Sequence, residues 1–382
     1  MKKIVIFINS MEGGGAERVV STILNNFSND YKCYLILIEN NMDYILNNNI
    51  EVISLNVNSN SSGIKKLIML PILAYKLSKI IKKYKFNKVV SFLYRANYIN
   101  ILSKFFSKHK VIISERIAAS SMYYDKSLTS QVNKFLIKNL YNKSDLIISV
   151  SKAIKADLKY NFYIKTKQIV VYNPYDINQI NKLAQEDIDI EIDEEKSIIT
   201  VGSLGVRKNH KMLIRAFSLI ENKNIILYIL GKGEEEDILK QLTKELNLEN
   251  RVLFLGFDNN PYKYLSKCDI FILSSNSEGF PNVLAEAMVC GCSVISTDCL
   301  SGPREILAPK SSIDFQLRNN IELAEYGILS PIKEVEKLKE AMNIMISNKI
   351  QRNLYKEKAI LRVDDFKIDK IIKQYEDVIC AE

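Results

Sequence analysis

The order of apolar runs along the chain constrains its fold more than any other feature. A β-branched run at Lys3–Asn9 predicts a first buried strand, the loop Ser10–Gly15 follows it, and a helix is expected over about Ala16–Phe27. Further strands, separated by helical segments, are predicted at Tyr34–Ile38, Val52–Leu55, Lys88–Phe92, Val111–Ser114 and Leu146–Ser149. This alternation predicts a parallel sheet with helices on both faces.

The same alternation begins again after an acidic stretch, Asp187–Lys196, which we interpret as a linker. A strand is predicted at Ser197–Gly202 and a helix near Lys211–Ile220. Later strands are predicted at Ile225–Leu230, Val252–Leu255, Ile270–Ser274 and Ser293–Thr297. We therefore predict an α/β protein of two doubly wound, Rossmann-like domains that face each other across a cleft, at residues 1–178 and 179–369. The last helix, at about 370–382, could pack on either domain and so could join the first.

Positive charge is concentrated in the first half of the chain. Residues 1–178 contain 26 lysines and arginines against 11 acidic residues, a net charge of +15, whereas residues 179–382 contain 27 against 33, a net charge of −6. This asymmetry predicts two domains with different partners. The basic domain is expected to meet a membrane surface, a phosphate-bearing substrate or nucleic acid.

Several classes of protein are disfavoured by composition. No run of 18 uncharged apolar residues is present, and no cleavage site follows the short apolar run at 4–8, so neither a membrane span nor a signal peptide is expected. The six cysteines form no C-x-x-C pair, and the chain has two histidines, His109 and His210. We therefore expect reduced thiols, no zinc and a cytoplasmic protein.

The segment SSNSEGFPNVLAEAMVCG follows a predicted strand directly and contains two carboxylates, Glu278 and Glu286. Pro281 suits the first turn of a helix, and Gly291 suits the position just past its end. The free N–H groups of such a helix start attract a diphosphate, and carboxylates hold sugar hydroxyls. A nucleotide-sugar has this layout, although the spacing alone equally fits an ordinary strand–helix unit with one solvated and one capping glutamate.

Two further loops follow predicted strands. Gly13–Gly15 would let backbone N–H groups approach a ligand closely, or would simply form a tight turn. Arg207 and Lys208 could neutralise a leaving diphosphate, or could be a solvated basic loop.

Two features of the basic half could bind anions. Arg116 is a fixed cation that follows a predicted strand and could bind an anionic group or form a structural salt bridge, with Glu115 orienting it. The segment Ile64–Phe86 predicts a basic amphipathic helix, broken or kinked near Pro71, that could lie on an anionic membrane or pack with a solvated lysine face.

Motifs along nearly the whole chain together resemble glycosyltransferase family 4. Glu278 and Glu286 match its E-x7-E signature in the form E-G-F-P-N-V-L-x-E. Other matching segments are GGGAERV at 13–19, SVSKAI at 149–154, NP at 173–174, VGSL and RKNH within 201–210, LGKGEEE at 230–236, LGF at 255–257 and SGPREIL at 301–307. Their order and spacing carry the resemblance, which implies the GT-B fold and sugar transfer that retains anomeric configuration.

The resemblance also implies roles for individual residues. Glu278 would contact the donor sugar, Glu286 the ribose hydroxyls, and the backbone between them the diphosphate. The implied donor-binding set is Gly14, Gly15, Arg207, Lys208, Glu278, Gly279, Phe280, Pro281, Asn282, Val283 and Glu286. Of these, we expect Glu278, Lys208 and Arg207 to act directly in the reaction.

The sequence departs from the family pattern at two positions. The arginine that usually follows the strand glycine is replaced by Ser203, so Arg207 is expected to supply that charge. Many relatives have a histidine near position 116, where this chain has Arg116. We assign acceptor binding to Glu17 and Arg116.

The expected reaction moves a hexose or N-acetylhexosamine from a nucleotide-sugar, UDP-linked by family habit, to a glycan acceptor linked to a lipid diphosphate. No metal and no cofactor are expected. The protein would be peripheral on the inner face of the cell membrane, contacting anionic lipid through Lys76, Lys79, Lys82 and Lys83. Two alternatives remain open: a sugar-nucleotide epimerase of the same fold, and a basic nucleic-acid-binding protein. The second lacks a recognisable recognition motif, and 23 of the 26 cations in residues 1–178 are lysine, whereas arginine leads in base readout.

Overall fold

The computed structural model describes residues 2–57 and 63–380, without the side chains of residues 63–65. The chain divides into two compact units, which we call unit 1 (Met1–Pro174 with Asp369–Glu382) and unit 2 (Tyr175–Ile368). The chain passes from unit 1 to unit 2 between residues 174 and 175, and returns to unit 1 between residues 368 and 369. The predicted second domain spans residues 179–369. Most of the last helix belongs to unit 1, and residues 381–382 of its predicted span lie outside the described residues.

Unit 1 contains a sheet whose strands follow the order β3-β2-β1-β4-β5-β6-β7, all paired in parallel. The strands are β1 (Lys2–Ile8), β2 (Tyr31–Leu37), β3 (Glu51–Ser54), β4 (Lys88–Phe92), β5 (Lys110–Glu115), β6 (Leu146–Ser149) and β7 (Gln168–Val170). The helices between them are α1 (Gly15–Asn26), α2 (Gly63–Ile68), α3 (Leu70–Tyr84), α4 (Tyr94–Ser103), α5 (Ala119–Met122), α6 (Leu128–Leu140) and α7 (Lys152–Asn161).

Unit 2 begins with α8 (Ile177–Leu183) and repeats the same plan, with strand order β10-β9-β8-β11-β12-β14-β13. Its strands are β8 (Ser197–Val201), β9 (Ile226–Leu230), β10 (Val252–Gly256), β11 (Ile270–Leu273), β12 (Ser293–Thr297), β13 (Glu322–Leu323) and β14 (Ile328–Ser330). Among these, β13 alone pairs antiparallel, with β14. The helices are α9 (His210–Ser218), α10 (Glu236–Glu245), α11 (Tyr262–Leu265), α12 (Asn282–Val289), α13 (Pro303–Leu307), α14 (Val335–Ser347) and α15 (Lys349–Val363), and α16 (Ile368–Cys380) then returns the chain to unit 1.

The predicted α/β architecture is confirmed, because both sheets are parallel-dominated and alternate with helices. Central strands such as Ile4–Ile8 and Ile270–Leu273 are continuous apolar runs and are buried throughout. Both faces of such strands are apolar because helices cover both faces of the sheet. Three short strands, β7, β13 and β14, were not predicted. Each has two or three residues, which is too few to show a periodicity, and each is held in place by its neighbour in the sheet.

The stretch Asp187–Lys196, which we interpret as a linker, connects α8 to β8. The stretch lies inside unit 2, after the chain has already left unit 1. Its end is tied down by ion pairs to α15, from Glu194 to Lys356 at 3.1 Å and from Glu195 to Lys349. The acidic residues therefore dock a helix of their own unit.

Strand order locates the crevice of each unit. In unit 1 the order reverses between β1 and β4, and in unit 2 it reverses between β8 and β11. Loops after the two central strands run in opposite directions at such a reversal, which opens a crevice at the carboxyl ends of the strands. In unit 1 this places the glycine loop after β1 beside the start of α4, and in unit 2 it places Arg207 and Lys208 beside the segment that carries Glu278.

The predicted helix at Ile64–Phe86 consists of two helices. A turn at Met69 separates α2 from α3, and Pro71 lies in the first turn of α3, where its missing N–H is not needed. Lys85 ends α3 in the left-handed conformation, with φ 52°. Over the residues that the structure describes, no helix is long and apolar enough to cross a membrane.

Candidate active site

The loop after β8 is held by glycines that pack backbone against backbone. A Cβ atom at Gly231, where φ is +151°, would lie 1.9 Å from the carbonyl oxygen of Gly202, so no other residue fits. The N–H of Leu204 donates to the carbonyl of Lys232 at 2.9 Å, and that of Glu235 donates back to Leu204 at 2.9 Å. The loop that carries the predicted cations is therefore fixed by the neighbouring loop after β9.

Hydrogen bonds also join the loop after β8 to the loop after β11. Ser274 Oγ donates to the carbonyl of Lys208 at 2.8 Å, and the N–H of Asn276 donates to the carbonyl of Arg207 at 2.8 Å. Lys208 Nζ forms an ion pair with Glu278 Oε1 at 2.6 Å. Two predicted site residues that are distant in sequence thus meet at the crevice of unit 2.

Glu278 is buried, with 5% of the residue exposed. Burial alone would raise its pKa, but the charges of Lys208 and Arg207 and hydrogen bonds from Lys208 and Ser275 hold the pKa below its usual value. Ser275 Oγ donates to the same oxygen, Oε1, at 2.6 Å. Because both bonds end on Oε1, Oε2 can accept hydrogen bonds from a ligand.

The backbone at Glu278 is fixed by the loop after β12. The N–H of Glu278 donates to the carbonyl of Leu300 at 3.1 Å, and Ser301 donates back to the carbonyl of Glu278 from its N–H at 3.2 Å and its Oγ at 3.1 Å. Gly302, with φ +92°, lies so close that a Cβ there would be 2.6 Å from Pro281 Cδ. The segment between Glu278 and α12 is therefore pre-organised by a third loop.

Helix α12 begins where the sequence predicted. Pro281 is its N-cap, with no side-chain capping bond, and Gly291 follows its end with φ +86°. Asn282 and Val283, of the predicted donor-binding set, are the first two residues of α12, and a helix start of this kind suits an anion. Tyr175 Oη donates to Asn282 Oδ1 at 3.0 Å, and Phe280 packs edge-on against Phe366 at 5.2 Å.

Glu286 lies on α12, with 3% of the residue exposed, and accepts a hydrogen bond from Tyr262 Oη at 3.5 Å. Arg207 is exposed at the surface, and its charge nevertheless lowers the pKa of Glu278. Unit 2 therefore contains the predicted donor-binding residues from Arg207 to Glu286, with Lys208 and Glu278 in direct contact.

The glycine loop of unit 1 is anchored by residues that follow β2. The N–H of Gly13 donates to Asp43 Oδ2 at 3.0 Å, and Tyr44 Oη donates to the carbonyl of Gly14 at 3.0 Å. Gly14 is the N-cap of α1, and a Cβ there would lie 2.0 Å from Glu17 Oε2. The Glu17 carboxylate therefore folds over the helix start that was predicted, with Gly14 and Gly15, to meet a phosphate.

Glu17 and Arg116, the predicted acceptor residues, influence each other electrostatically. Burial raises the pKa of Glu17 above its usual value, and the charge of Arg116 opposes that rise. Arg116 is buried, and its guanidinium donates to Asn173 Oδ1 and, at 3.4 Å, to Tyr375 Oη of α16. The expected orientation of Arg116 by the Glu115 side chain is wrong, because Glu115 Oε1 accepts from the backbone N–H of Arg116 instead, at 3.2 Å.

Glu115 gives a pH-dependent prediction. The carboxyl is buried and accepts from Tyr141 Oη at 2.6 Å, and burial raises its pKa from 4.5 to about 7. Between pH 4.5 and about 7 the unfolded chain has lost a proton that the folded chain retains. The contribution of Glu115 to the free energy of unfolding therefore falls by on the order of 3 kcal/mol as the pH rises through this window. Denaturant unfolding of wild type and Glu115→Gln from pH 4.5 to 7.5 should show this slope in wild type and a flatter one in the variant. Parallel curves would contradict the assignment.

The predicted membrane-binding lysines share one face of α3. Lys76, Lys79, Lys82 and Lys83 are all exposed. Two apolar side chains of α3, Ile72 and Tyr75, lie on the same face and are also exposed, as is Ile68, the last residue of α2. Tyr75 packs against Phe106, which is exposed together with Phe105 at the end of α4, with ring centroids 5.5 Å apart. The side chain of Lys65 lies outside the described residues.

Several residues of these sites were missed by the sequence analysis. Ser275 and Tyr262 bind the two glutamates of unit 2, and Asn173 and Tyr375 bind Arg116. Ser275 adjoins the signature and Asn173 belongs to the quoted NP motif, so both could have been included, whereas Tyr375 had no local signal. Over residues 2–57 and 63–380, no group of three or more histidine, cysteine, aspartate or glutamate side chains is arranged to hold a metal ion.

The fold is that of a known class of protein, the GT-B glycosyltransferases. The structure is similar to that of Anabaena HepE in complex with UDP, with a TM-score of 0.77 and 20% identity, covering 100% of both chains. It is also similar to sucrose-phosphate synthase from Thermosynechococcus elongatus, with a TM-score of 0.83 and 17% identity, again over 100% of both chains. These likenesses establish the fold.

The chain belongs to glycosyltransferase family 4. A model described as Glycosyltransferase Family 4 matches residues 13–179, and one described as Glycosyl transferases group 1 matches residues 184–362. The chain is 38% identical, over 98% of both chains, to an enzyme of Campylobacter jejuni, N-acetylgalactosamine-N,N'-diacetylbacillosaminyl-diphospho-undecaprenol 4-alpha-N-acetylgalactosaminyltransferase. The predicted family is thereby confirmed, and the epimerase alternative gains no support.

Proposed function

We propose that this glycosyltransferase transfers a hexose or N-acetylhexosamine from a UDP-sugar, bound by unit 2, to a glycan linked to a lipid diphosphate, bound by unit 1. The observation that carries the proposal is the Lys208–Glu278 ion pair at the strand-order reversal of unit 2, beside the start of α12. It combines a cation and helix N–H groups, which suit a diphosphate, with a carboxylate that suits sugar hydroxyls. The structurally similar Anabaena protein was solved with UDP, which supports that nucleotide.

In the proposed reaction, the bond between the anomeric carbon and the diphosphate oxygen breaks while an acceptor hydroxyl bonds to the same face. The hydroxyl proton passes to the departing phosphate, so configuration is retained and no protein nucleophile is needed. Lys208 has three donors and can hold the phosphate while keeping its bond to Glu278. Lys208, the exposed Arg207 and the start of α12 would stabilise the negative charge that develops on the leaving group.

The proposed acceptor rests on two observations. The Campylobacter relative is named for an acceptor that carries a saccharide on diphospho-undecaprenol. Residues 1–178, which make up most of unit 1, carry a net charge of +15, which suits a diphosphate on a membrane surface. Glu17 and Arg116 are proposed to contact that acceptor.

We further propose that α3 holds the enzyme on the inner face of the cell membrane. Its exposed face combines the four lysines with Ile72 and Tyr75, and the exposed ring of Phe106 packs against Tyr75. Lysines bind anionic headgroups, and apolar and aromatic side chains enter the interface between headgroups and acyl chains.

Incubation of UDP-sugars with and without a lipid-diphosphate-linked saccharide tests the reaction class. We expect UDP release that depends on acceptor, persists in EDTA, and yields a product whose new glycosidic bond keeps the donor's anomeric configuration by NMR. An epimerised UDP-sugar formed without acceptor would instead support the epimerase, inversion would contradict the retaining route, and complete loss in EDTA would contradict metal independence.

Glu286 should affect donor binding more than the chemical step. A buried carboxylate that holds two ribose hydroxyls would lose both bonds in Glu286→Ala, and the KM for the UDP-sugar should rise roughly 10- to 100-fold. Initial rates at varied donor concentration and saturating acceptor would measure the KM for the donor. The control is Glu245→Ala, which changes an exposed residue of α10. An unchanged donor KM with a collapsed kcat would contradict the assignment to ribose.

A further inference from the structure

Unit 1 contains a second buried ion pair at its own strand-order reversal. Arg95, in the first turn of α4, donates through Nη1 to Glu39 Oε1 at 2.6 Å. Glu39 follows β2 and Arg95 follows β4, and β1 lies between these strands, so the pair spans the carboxyl end of β1. It thus occupies, in unit 1, the crevice that corresponds to the position of Lys208 and Glu278 in unit 2.

The Arg95 guanidinium is only half satisfied. The side chain is 12% exposed, yet Nε and Nη2 are buried and have no hydrogen-bond partner. Asn9, directly after β1, has a buried and unpartnered Oδ1, while its carbonyl accepts from the N–H of Glu39 at 2.9 Å. Buried donors and acceptors in folded proteins are almost always paired, so this crevice has two donors and one acceptor that await a ligand or water.

The charge of the cluster indicates which ligand it suits. Glu39 is 7% exposed and neutralises Arg95, so the pair offers directed N–H donors without net positive charge. The Lys208–Glu278 pair has a second cation, Arg207, acting on its carboxylate, whereas a diphosphate placed beside Arg95 would meet the Glu39 carboxylate, which disfavours it. A hydroxyl or acetamido group both accepts and donates, so such groups suit the donors of Arg95 and the acceptor Asn9 Oδ1 alike.

We propose that the free edge of Arg95, with Asn9 Oδ1, binds a neutral polar group, hydroxyl or acetamido, of the acceptor saccharide. The inference rests on the proposed function for the identity of the acceptor. Arg95 is one of three arginines among the 26 cations of residues 1–178. Lysine could pair with Glu39, but only the planar guanidinium also presents a second edge with two parallel donors.

The test compares wild type, Arg95→Lys and the control Lys32→Gln, which breaks an exposed ion pair to Glu51 at the other end of the same sheet. Octyl α-N-acetylgalactosaminide is the probe, because the Campylobacter relative's acceptor contains this sugar. Saturation-transfer NMR measures binding of the saccharide. Initial rates give the KM values for the saccharide, for its lipid-diphosphate form and for the UDP-sugar. Arg95→Lys should weaken binding and raise both acceptor KM values about tenfold or more, with the donor KM and the melting temperature near wild type.

Equal saccharide binding by wild type and Arg95→Lys would overturn the inference. So would an effect confined to the lipid-diphosphate acceptor, because Arg95 would then bind the diphosphate. Wild-type protein that binds the saccharide but transfers nothing would refute the proposed function, while the binding comparison would still decide the role of Arg95. A wild type that binds no saccharide at all would overturn both.

Discussion

Replacing Lys208 or Glu278 by alanine should abolish sugar transfer, with kcat lowered by at least about 10²- to 10³-fold in each case. Lys208 would no longer neutralise the leaving diphosphate, and Glu278 would no longer position the donor sugar. The two side chains form one ion pair at 2.6 Å, so the losses should be non-additive, and the double variant should be little worse than either single one.

The ion pair also complicates the reading of alanine variants. Removing one partner of a buried pair leaves an uncompensated charge, which costs about 3–5 kcal/mol of stability. Glu278→Gln and Lys208→Met keep side-chain volume and should lose activity with less damage to the fold. Lys240→Ala, which breaks an exposed pair with Glu236 on α10, is the matched control and should be active. Initial rates give kcat for each variant, and thermal melts show whether the variant is folded. A near-wild-type kcat in both Glu278→Gln and Lys208→Met would show that the site is misplaced.

Reversing the charge of Lys79, Lys82 and Lys83 to glutamate should weaken binding to anionic liposomes by about 100-fold or more. Each lysine near such a surface contributes about 1 kcal/mol, and reversal adds repulsion to that loss. The residues are exposed on α3, and none of the three forms an ion pair in the part of the chain that the structure describes, so the fold should tolerate the change. Sedimentation with phosphatidylglycerol vesicles at fixed salt measures the effect.

A matched control changes the same charge elsewhere in unit 1. Lys152, Lys155 and Lys159 are exposed on a different helix, α7. Their reversal to glutamate should affect vesicle binding much less. Equal loss in the two triple variants would mean that overall charge, rather than the face of α3, governs binding. Unchanged binding in the α3 variant would contradict the membrane role of that helix.

The fold was predictable because each strand–helix repeat carries its own signal. Continuous apolar strands such as Ile270–Leu273 are bounded by turn residues, and parallel order follows from the helices between them. The short strand β14 (Ile328–Ser330) has no such signal, and its place is set by pairing with β12. The ion pairs that join the acidic stretch before β8 to α15 could not be predicted, because their partners are distant in sequence.

The candidate sites were predictable only in part, for the same reason. Glu278 could be placed on a loop from local sequence, but its pairing with Lys208 joins residues 70 positions apart. The contact of Arg116 with Tyr375 spans 259 positions and depends on the return of α16 to unit 1. Arg95 and Glu39 carry no motif at all, and only strand order brings them together.

Mass spectrometry of the lipid-linked product tests the proposed sugar transfer most directly. Wild-type protein is incubated with a panel of UDP-sugars and a saccharide on diphospho-undecaprenol, and Glu278→Gln serves as the inactive control. We predict that the lipid-linked saccharide gains the mass of one or more hexose or N-acetylhexosamine residues with one of these donors, and that the gain disappears in the variant. An unchanged acceptor mass with every donor, or an equal gain in Glu278→Gln, would contradict the proposed transfer.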